Sequence, residues 1–190
     1  MKKLISFMHI SLDGFVAGPN GEMDWITLNN EIFDHVGRRI QRENTAMYGR
    51  VTYELMESYW PTAADKPNPT KHEKEHSAWY KTARKVVISR SLQNADLPDT
   101  TILSNHLPES IHALKQEPGN EMLLFGSPSA THALLDLNLI DGFWLFLNPI
   151  LLGEGIPLFA GVKDKTKLQL QNSRTFDCGV IELNYTVAGK

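Results

Sequence analysis

The residues best suited to chemistry lie in three turns, each of which directly follows a short apolar segment. In chain order, the turns contain Gly49-Arg50 with Thr52, then Ser89-Arg90, and then Gly126-Ser127. Glycine lets the backbone approach a ligand closely, and arginine presents a planar charged fork that suits phosphate. A helix that begins at such a turn adds free N–H groups and the positive end of its dipole. The three turns therefore predict a phosphate-bearing ligand, although Gly and Ser also form ordinary turns.

Two of these turns carry an arginine, and the pair bears on which nucleotide is bound. Arg50 and Arg90 could together clamp a ribose 2′-phosphate, because each supplies a permanent positive charge with its donors in a fixed plane. The 2′-phosphate is the group that distinguishes NADP(H) from NAD(H). The two arginines therefore favour NADP(H) as the cofactor.

The elements that must position these turns alternate between strand and helix. Apolar or alternating segments predict strands at Leu4–Ile10, Thr45–Tyr48, Lys85–Ile88, Thr101–Leu103, Glu121–Phe125, Gly142–Leu147, Leu168–Gln171 and Val180–Val187. Helical spacing or a helix-starting residue predicts helices at Glu31–Arg42, Val51–Ser58, Lys71–Lys81, Pro108–Gln116 and Ser127–Leu137. Ser127 or Ser129 is the expected N-cap of the last helix. Segments rich in Gly, Pro and Asn predict loops at 11–24, 59–68 and 149–157.

The order of these elements predicts the fold class. Strand–helix units come first, and strands joined by helices form a parallel sheet that is covered on both faces. The last two predicted strands alternate apolar and polar residues, as half-exposed antiparallel strands do. We therefore predict an α/β protein with a mostly parallel, mixed central sheet, helices on both faces and a C-terminal antiparallel hairpin. The carboxyl ends of parallel strands share one edge of such a sheet, where ligands bind.

Length and charge exclude several classes of protein. The chain has 190 residues, 42% of them hydrophobic, which suits one large domain or two small ones. The net charge of -3 gives no general attraction to nucleic acid or to an anionic membrane. Cys178 is the single cysteine, and no apolar run approaches the ~20 residues of a membrane span. Because the first apolar run breaks at His9, a signal peptide is not indicated and we expect a cytoplasmic protein.

The segment from His72 to His76 matches the pattern H-E-x-x-H, the zinc-binding signature of many metalloproteases. Two histidines four residues apart share one helix face and could bind zinc. A zinc-binding helix of that type is apolar between its ligands, whereas Lys71, Lys74 and Glu75 flank this pair. We therefore interpret the segment as a solvated helix face and predict no metal site, with a zinc hydrolase as the lesser alternative.

Four motifs occur in an order that resembles a known superfamily. They are Ser-Leu-Asp-Gly-Phe-Val-Ala-Gly at 11–18, Asp-Trp at 24–25, Tyr-Gly-Arg-Val-Thr-Tyr-Glu at 48–54 and Pro-Ile-Leu-Leu-Gly-Glu-Gly at 149–155. Together they resemble the dihydrofolate reductase superfamily, and within it the C-terminal reductase domain of the bifunctional riboflavin-biosynthesis deaminase–reductase. The resemblance covers nearly the whole chain. It implies one dihydrofolate reductase-like domain over residues 1–190, NADPH as cofactor and, commonly, a homodimer.

The resemblance also implies roles for particular residues. The phosphate-binding groups would be Gly49, Arg50 and Thr52 near the adenosine phosphates, Ser89 and Arg90 at the 2′-phosphate, and Gly126 and Ser127 at the pyrophosphate. The groups around the nicotinamide would be Val16 and Ala17 at its carboxamide and Trp25 beside the ring pocket. The loop Gly153-Glu154-Gly155 would close over the cofactor or the substrate.

Two carboxylates are candidates for the chemistry itself. Asp13 follows the first strand and would face the substrate, with an ordinary Asx turn at Asp13-Gly14 as the alternative. Glu154 stands between glycines that permit close approach, with a solvated loop acid as the alternative. Asn30 stands where dihydrofolate reductases carry a buried carboxylate, with Glu31 next to it. The sequence thus predicts an NADPH-dependent reductase of a pterin-like or pyrimidine-like heterocycle or, alternatively, a non-catalytic NADP(H)-binding or regulatory module.

Overall fold

The elements below come from a computed structural model, which describes residues 1–43, 45–92, 99–162 and 164–189. The strands are β1 (Lys3–Ser11), β2 (Phe15–Ala17), β3 (Thr45–Gly49), β4 (Arg84–Ile88), β5 (Thr100–Leu103), β6 (Glu121–Phe125), β7 (Gly142–Asn148), β8 (Ile156–Pro157), β9 (Leu168–Thr175) and β10 (Ile181–Val187). The α-helices are α1 (Asn30–Ile40), α2 (Arg50–Tyr59), α3 (Lys71–Thr82), α4 (Leu107–Gln116) and α5 (Pro128–Asp136). A short 3-10 helix covers Trp60–Asp65.

Eight of the strands form one central sheet in the order β5-β4-β3-β6-β1-β7-β10-β9. The pairs from β5 to β7 are all parallel. β10 is antiparallel to both β7 and β9, so the chain closes with an antiparallel hairpin. This topology confirms the predicted mostly parallel sheet and its C-terminal hairpin.

Helices cover both faces of the sheet, as predicted. Alternate residues of β1 point to opposite faces, so that Leu4 and Met8 enter one apolar core and Ile5 enters the other. The first core includes buried residues of α4 and α5, and the second includes those of α1 and α3. Because the parallel strands are apolar on both faces, a helix layer is needed on each side. No helix in the described residues is long and apolar enough to cross a membrane.

Three short elements lie in segments that the sequence predicts as loops. β2 and β8 pair with each other inside the predicted loops 11–24 and 149–157, and the 3-10 helix lies inside 59–68. Elements of two to six residues are too short for an apolar period to appear. β9 extends to Thr175, four residues beyond the prediction, because cross-strand pairing with β10 holds polar residues in a strand.

The histidines of α3 belong to an aromatic cluster, which corrects the interpretation of this segment as a solvated helix face. The His72 ring stacks on Phe33 with centroids 3.9 Å apart, and the His76 ring lies 4.0 Å from that of Trp60. Burial lowers the pKa of His76 to about 3 and also lowers that of His72. The charged neighbours hid this packing in the sequence, because Lys71 and Lys74 are exposed while the two histidine rings pack against Phe33 and Trp60. Among the described residues, no group of three metal-ligating side chains accompanies the two histidines.

The buried His76 makes a testable prediction about stability and pH. Its pKa is lower in the folded protein than in the unfolded chain, so the unfolded chain binds the extra proton as the pH falls below about 6.5. We expect the free energy of unfolding to fall between pH 6.5 and 5.5, with a slope of up to about 1.4 kcal/mol per pH unit from this residue. Urea unfolding of the wild-type protein and of His76→Phe at several pH values measures the difference. Equal slopes in the two proteins would contradict the assignment.

Candidate active site

A cleft of about 690 Å³ opens at the carboxyl ends of four neighbouring strands, β4, β3, β6 and β1. The register pairs Gly49 of β3 with Ile88 of β4, so the first and second predicted turns leave the sheet side by side. β6 lies on the other side of β3, which places the third turn next to the first. The predicted site residues that line the cleft are Val16, Ala17, Gly49, Arg50, Thr52, Ser89, Arg90, Gly126 and Ser127.

The cleft also receives the N-terminal ends of α2 and α5. Gly49 precedes α2 and Ser127 precedes α5, and neither supplies a side-chain hydrogen bond to its helix. The first turns of these two helices, which are fully described, contain no acidic residue, whereas those of α1, α3 and α4 each contain a glutamate. The free N–H groups and positive dipole ends of α2 and α5 therefore have no carboxylate of their own. This arrangement suits a bound phosphate.

The side chain of Ser127 links two of the turns. Its hydroxyl accepts a hydrogen bond from the Gly49 N–H at 2.8 Å and donates one to the Phe125 carbonyl oxygen at 2.9 Å. Ser127 takes the N-cap position of α5, as predicted, but its hydroxyl does not cap the helix because it is engaged across the sheet. Its φ of +64° is unusual for a residue with a Cβ. Backbone conformations of this type cost about 1–3 kcal/mol and often mark functional sites.

Two glycines allow the first and third turns to approach each other. A Cβ on Gly49 would lie 3.3 Å from the Cβ of Ser127, and a Cβ on Gly126 would lie 3.3 Å from Cγ2 of Thr52. Gly126 also has a φ of +53°, which favours glycine. The N–H groups of Gly49 and Gly126 donate to the Ser127 hydroxyl and the Phe7 carbonyl oxygen, so the N–H groups left for a ligand are those at the starts of α2 and α5.

Two arginines stand at the rim of the cleft. Nη1 of Arg50 donates to both carboxylate oxygens of Glu54, one helical turn away, at 2.9 and 2.8 Å. This pair is exposed, so its contribution to stability is only about 0.3–0.5 kcal/mol. Arg90 is also exposed and has no ion pair with any described residue. Both guanidinium groups are therefore available to an anionic ligand.

The rest of the cleft is mostly apolar. Its apolar lining includes Phe7, Met23, Ile26, Val51, Leu55, Met56 and Phe125. The rings of Phe7 and Phe125 meet edge to face with centroids 5.4 Å apart. No aspartate or glutamate is among the described lining residues. A flat, uncharged ring suits this part of the cleft, and the three turns with their two arginines suit an anion at the other part.

The small β2–β8 pair forms one wall of the cleft through Val16, Ala17 and Ile156. Gly155 makes this pairing possible, because a Cβ at that position would lie 2.2 Å from the carbonyl oxygen of Ala17. Its φ of +156° also favours glycine. Gly153 and Gly155 themselves lie outside the lining. Their loop contacts the wall through the close approach of Gly155 to Ala17.

Asp13 lies outside the described lining of the cleft and holds this loop in place. Its carboxylate accepts hydrogen bonds from the Ser11 hydroxyl at 2.7 Å and from the N–H groups of Leu152 and Gly153 at 3.1 and 2.8 Å. The Ser11 hydroxyl and the Gly153 N–H hold the pKa of Asp13 below its usual value. Asp13 thus links the β1–β2 connection to the β7–β8 connection by hydrogen bonds. This position differs from the substrate-facing orientation that the sequence suggests.

The remaining predicted residues also lie outside the cleft lining. Glu154 is exposed on the β7–β8 connection. The indole N–H of Trp25 donates to the carbonyl oxygen of Glu22 at 3.0 Å, while its neighbours at 23 and 26 line the cleft. Asn30 is exposed, and Glu31 pairs with Arg174 at 2.8 Å, away from the lining. The helix after Trp25 therefore supplies no carboxylate to the cleft.

Comparison with known proteins identifies the family. Residues 2–182 match the family model described as the RibD C-terminal domain. The chain belongs to the RibD C-terminal domain family. This confirms the predicted superfamily and branch, and the family supports an oxidoreductase of the riboflavin-pathway reductase type.

Individual relatives of this RibD C-terminal domain protein agree. It is 32% identical over 185 residues to the uncharacterised protein YyaP of Bacillus subtilis (strain 168), covering 97% of this chain and 94% of that protein. A putative riboflavin biosynthesis protein from Shewanella sp. PV-4 superposes with a TM-score of 0.74 at 21% identity, covering 97% and 98% of the two chains. Dihydrofolate reductase from Enterococcus faecalis, in complex with NADP(H), superposes with a TM-score of 0.62 at 13% identity, covering 98% and 96%. The structural matches show the shared fold.

Several lining residues carry no signal in the sequence. Met56 and Phe125 look like core residues, because apolar side chains at strand or helix spacing normally pack inside. His9 looks structural for the same reason, since it continues an apolar strand. Met23 and Ile26 lie in a predicted loop without periodicity. Only the folded chain brings these residues from β1, β6, α2 and the β2–α1 connection to one cleft.

Proposed function

We propose that this protein is an NADPH-dependent reductase of a small heterocyclic substrate of the pterin or pyrimidine type. The observation that carries the proposal is the composition of one cleft. Two helix N-termini without acidic residues and two arginines lie at one part of it, and aromatic and aliphatic side chains line the rest. NADPH has matching parts, because its 2′-phosphate and central pyrophosphate suit the cationic part and its terminal nicotinamide ring suits the apolar part.

The residues of the cleft fit NADPH one group at a time. Gly49 and the first turn of α2 would hold the adenosine phosphates, and Gly126 with the first turn of α5 would hold the pyrophosphate. Arg50 and Arg90 would bind the 2′-phosphate, since they follow the neighbouring strands β3 and β4 and each can donate to a phosphate. Ala17 would face the nicotinamide. When bound, NADPH supplies the hydride that reduces the substrate.

The chain's own contribution to the reaction would be positioning and exclusion of water. Phe7 and Phe125 lie on adjacent parallel strands and would contact a flat ring beside the nicotinamide. The β2–β8 wall, held by Asp13 through the Gly153 loop, would fix the cofactor side of the cleft. In this view Asp13 is a positioning residue, and Glu154 belongs to the supporting loop.

One observation favours the alternative of a non-catalytic NADP(H)-binding or regulatory module. No carboxylate is among the described lining residues, and the candidate Glu31 is engaged with Arg174. A protein that only senses the nucleotide would need the phosphate-binding turns but no proton donor. The two functions therefore predict the same cofactor binding and differ in turnover.

NADPH binding followed by turnover tests the proposal. We expect calorimetric titration to show NADPH bound in preference to NADH, because only NADPH carries the 2′-phosphate. We then expect loss of the near-ultraviolet absorbance of NADPH when dihydropterins, pyrimidinones or quinones are added. Tight NADPH binding without turnover of any of these compounds would favour the non-catalytic module. Absence of NADPH binding would contradict both functions.

Two further expectations accompany the proposal. The resemblance implies a homodimer, and β9, which is exposed along its whole length at one edge of the sheet, offers a surface for association. Leu168 and Leu170 on this strand are among the exposed large apolar side chains. A cytoplasmic location and a free small-molecule substrate stay predictions from composition and family.

A further inference from the structure

A polar side chain lies within the apolar part of the cleft, and no role has been assigned to it. His9 is on β1, in the middle of the sheet, and lines the cleft with Phe7 two residues before it. Its ring stacks on that of Phe146 with centroids 5.0 Å apart and an angle of 28°. β1 lies three strands from β4, or about 14 Å at the usual strand spacing, so His9 is distant from the Ser89-Arg90 turn that follows β4.

The neighbouring amide of Asn148 has a defined orientation. Its Oδ1 accepts a hydrogen bond from the Thr27 N–H at 2.9 Å, and its Nδ2 donates to the Phe146 carbonyl oxygen at 3.0 Å. The reverse orientation would place the amino group against the Thr27 N–H, which is also a donor, and the amide oxygen against the Phe146 carbonyl oxygen, which is also an acceptor. The Nδ2 group therefore faces Nδ1 of His9, at 3.5 Å.

This orientation favours one tautomer of the imidazole. The Asn148 amino group can only donate, and it lies 3.5 Å both from Nδ1 of His9 and from the Ile10 carbonyl oxygen. A donor beside Nδ1 favours the tautomer in which Nδ1 accepts and Nε2 carries the proton. Burial lowers the pKa of His9 to about 4, so that the ring is neutral near pH 7. No described residue hydrogen-bonds to Nε2 of His9. A neutral N–H donor on a ring that lines the cleft thus has no acceptor among the described residues.

We propose that Nε2 of His9 donates a hydrogen bond to a ring carbonyl oxygen of the substrate and thereby selects flat heterocycles that present an acceptor. The inference rests on the proposed reductase function, because the ring beside the nicotinamide is the substrate. A carboxylate in this part of the cleft would accept a hydrogen bond and select a donor instead. His9 reverses that polarity, which favours a pyrimidinone-type carbonyl over an amino group.

A cycle of two ligands and two proteins tests His9. The ligands are quinazolinone, a flat bicyclic pyrimidinone, and naphthalene, a bicycle of similar size without a carbonyl, each titrated into the NADP⁺-loaded protein. His9→Phe keeps a stacking ring but removes the donor. We expect it to weaken quinazolinone binding about fivefold, the usual effect of one neutral hydrogen bond, and to change naphthalene binding by less than about twofold. His9→Gln, whose amide nitrogen lies near the position of Nε2, is expected to restore most of the loss.

A second readout uses the imidazole nitrogens directly. Side-chain ¹⁵N spectra of the protein are expected to show the Nε2–H tautomer of His9, with its Nε2 signal shifting when quinazolinone is added. An Nδ1–H tautomer, equal weakening of both ligands by His9→Phe, or no binding of quinazolinone to the wild-type protein would each overturn the proposal. These titrations involve no turnover. If His9→Phe weakened quinazolinone binding selectively but no NADPH oxidation were seen, only the reductase function would be contradicted. NADPH oxidation by the wild-type protein, together with equal effects of His9→Phe on quinazolinone and naphthalene binding, would contradict only this inference.

Discussion

Replacing both Arg50 and Arg90 with glutamine is expected to weaken NADPH binding about a hundredfold while NADH binding changes by less than about threefold. A hydrogen bond to a charged group contributes about 1.5–3 kcal/mol, and the lower value applies to exposed groups such as these. Two such losses amount to about 3 kcal/mol, which is roughly a hundredfold in Kd. Calorimetric titration of the two nucleotides into the wild-type protein and the double variant gives both ratios.

Glu54→Gln is a matched control for the arginine prediction. In the folded protein the Glu54 carboxylate holds Arg50 with two hydrogen bonds, so it competes with the 2′-phosphate and repels it. Since an exposed pair of this type is worth about 0.3–0.5 kcal/mol, we expect NADPH to bind about twofold more tightly to this variant, with NADH unaffected. If the double variant lost affinity equally for NADPH and NADH, the arginines would not bind the 2′-phosphate.

Gly155→Ala is expected to separate β8 from β2 and to lower the free energy of unfolding by about 1–3 kcal/mol. The added Cβ would lie 2.2 Å from the carbonyl oxygen of Ala17, which is backbone and cannot rotate away. A φ of +156° adds strain for a residue with a Cβ. Because Ala17 and Ile156 line the cleft, NADPH affinity should fall together with stability. Thermal unfolding and nucleotide titration measure the two effects.

Gly153→Ala provides the control two residues away on the same loop. Gly153 also has a positive φ, +78°, but a Cβ there meets no atom within 4 Å. It should therefore cost only the backbone strain, about 1 kcal/mol, and leave the β2–β8 wall in place. Equal losses of NADPH affinity in the two variants would show that the wall does not depend on the close approach of Gly155 to Ala17.

The half of the cleft that we propose for phosphate binding could be predicted from the sequence because its residues follow strands directly. Gly49-Arg50 and Gly126-Ser127 stand at boundaries where an apolar run stops, and local signals of that type need no tertiary information. The apolar half was not accessible in this way. His9 and Phe7 belong to a strand that is predicted to be buried along its whole length. Apolar residues are typical both of buried positions and of positions that line an apolar cleft, so the sequence does not distinguish the two.

The candidate carboxylates show that a residue which looks catalytic in the sequence can have a structural role. Asp13 stands in the motif that suggests chemistry, yet its carboxylate holds the backbone of Leu152 and Gly153, about 140 residues later in the chain. Hydrogen bonds between loops that are far apart in sequence depend on where the fold brings them together. The histidines of α3 show the same effect, since the packing of Phe33 and Trp60 against them buries a face that its charged neighbours suggest is solvated.

The sequence by itself determined the α/β class, the strand–helix order, the positions of the three strand-end turns and the family resemblance, because each of these rests on local residue types and spacing. The tertiary structure alone decided that the turns adjoin one another on β4, β3 and β6, and that α2 and α5 direct N-termini without acidic residues to the same cleft. It also decided that Asp13 supports a loop and that the polar group among the apolar lining is His9. The physical reason is that strand order and the packing between distant segments arise from long-range contacts, which residue spacing does not encode.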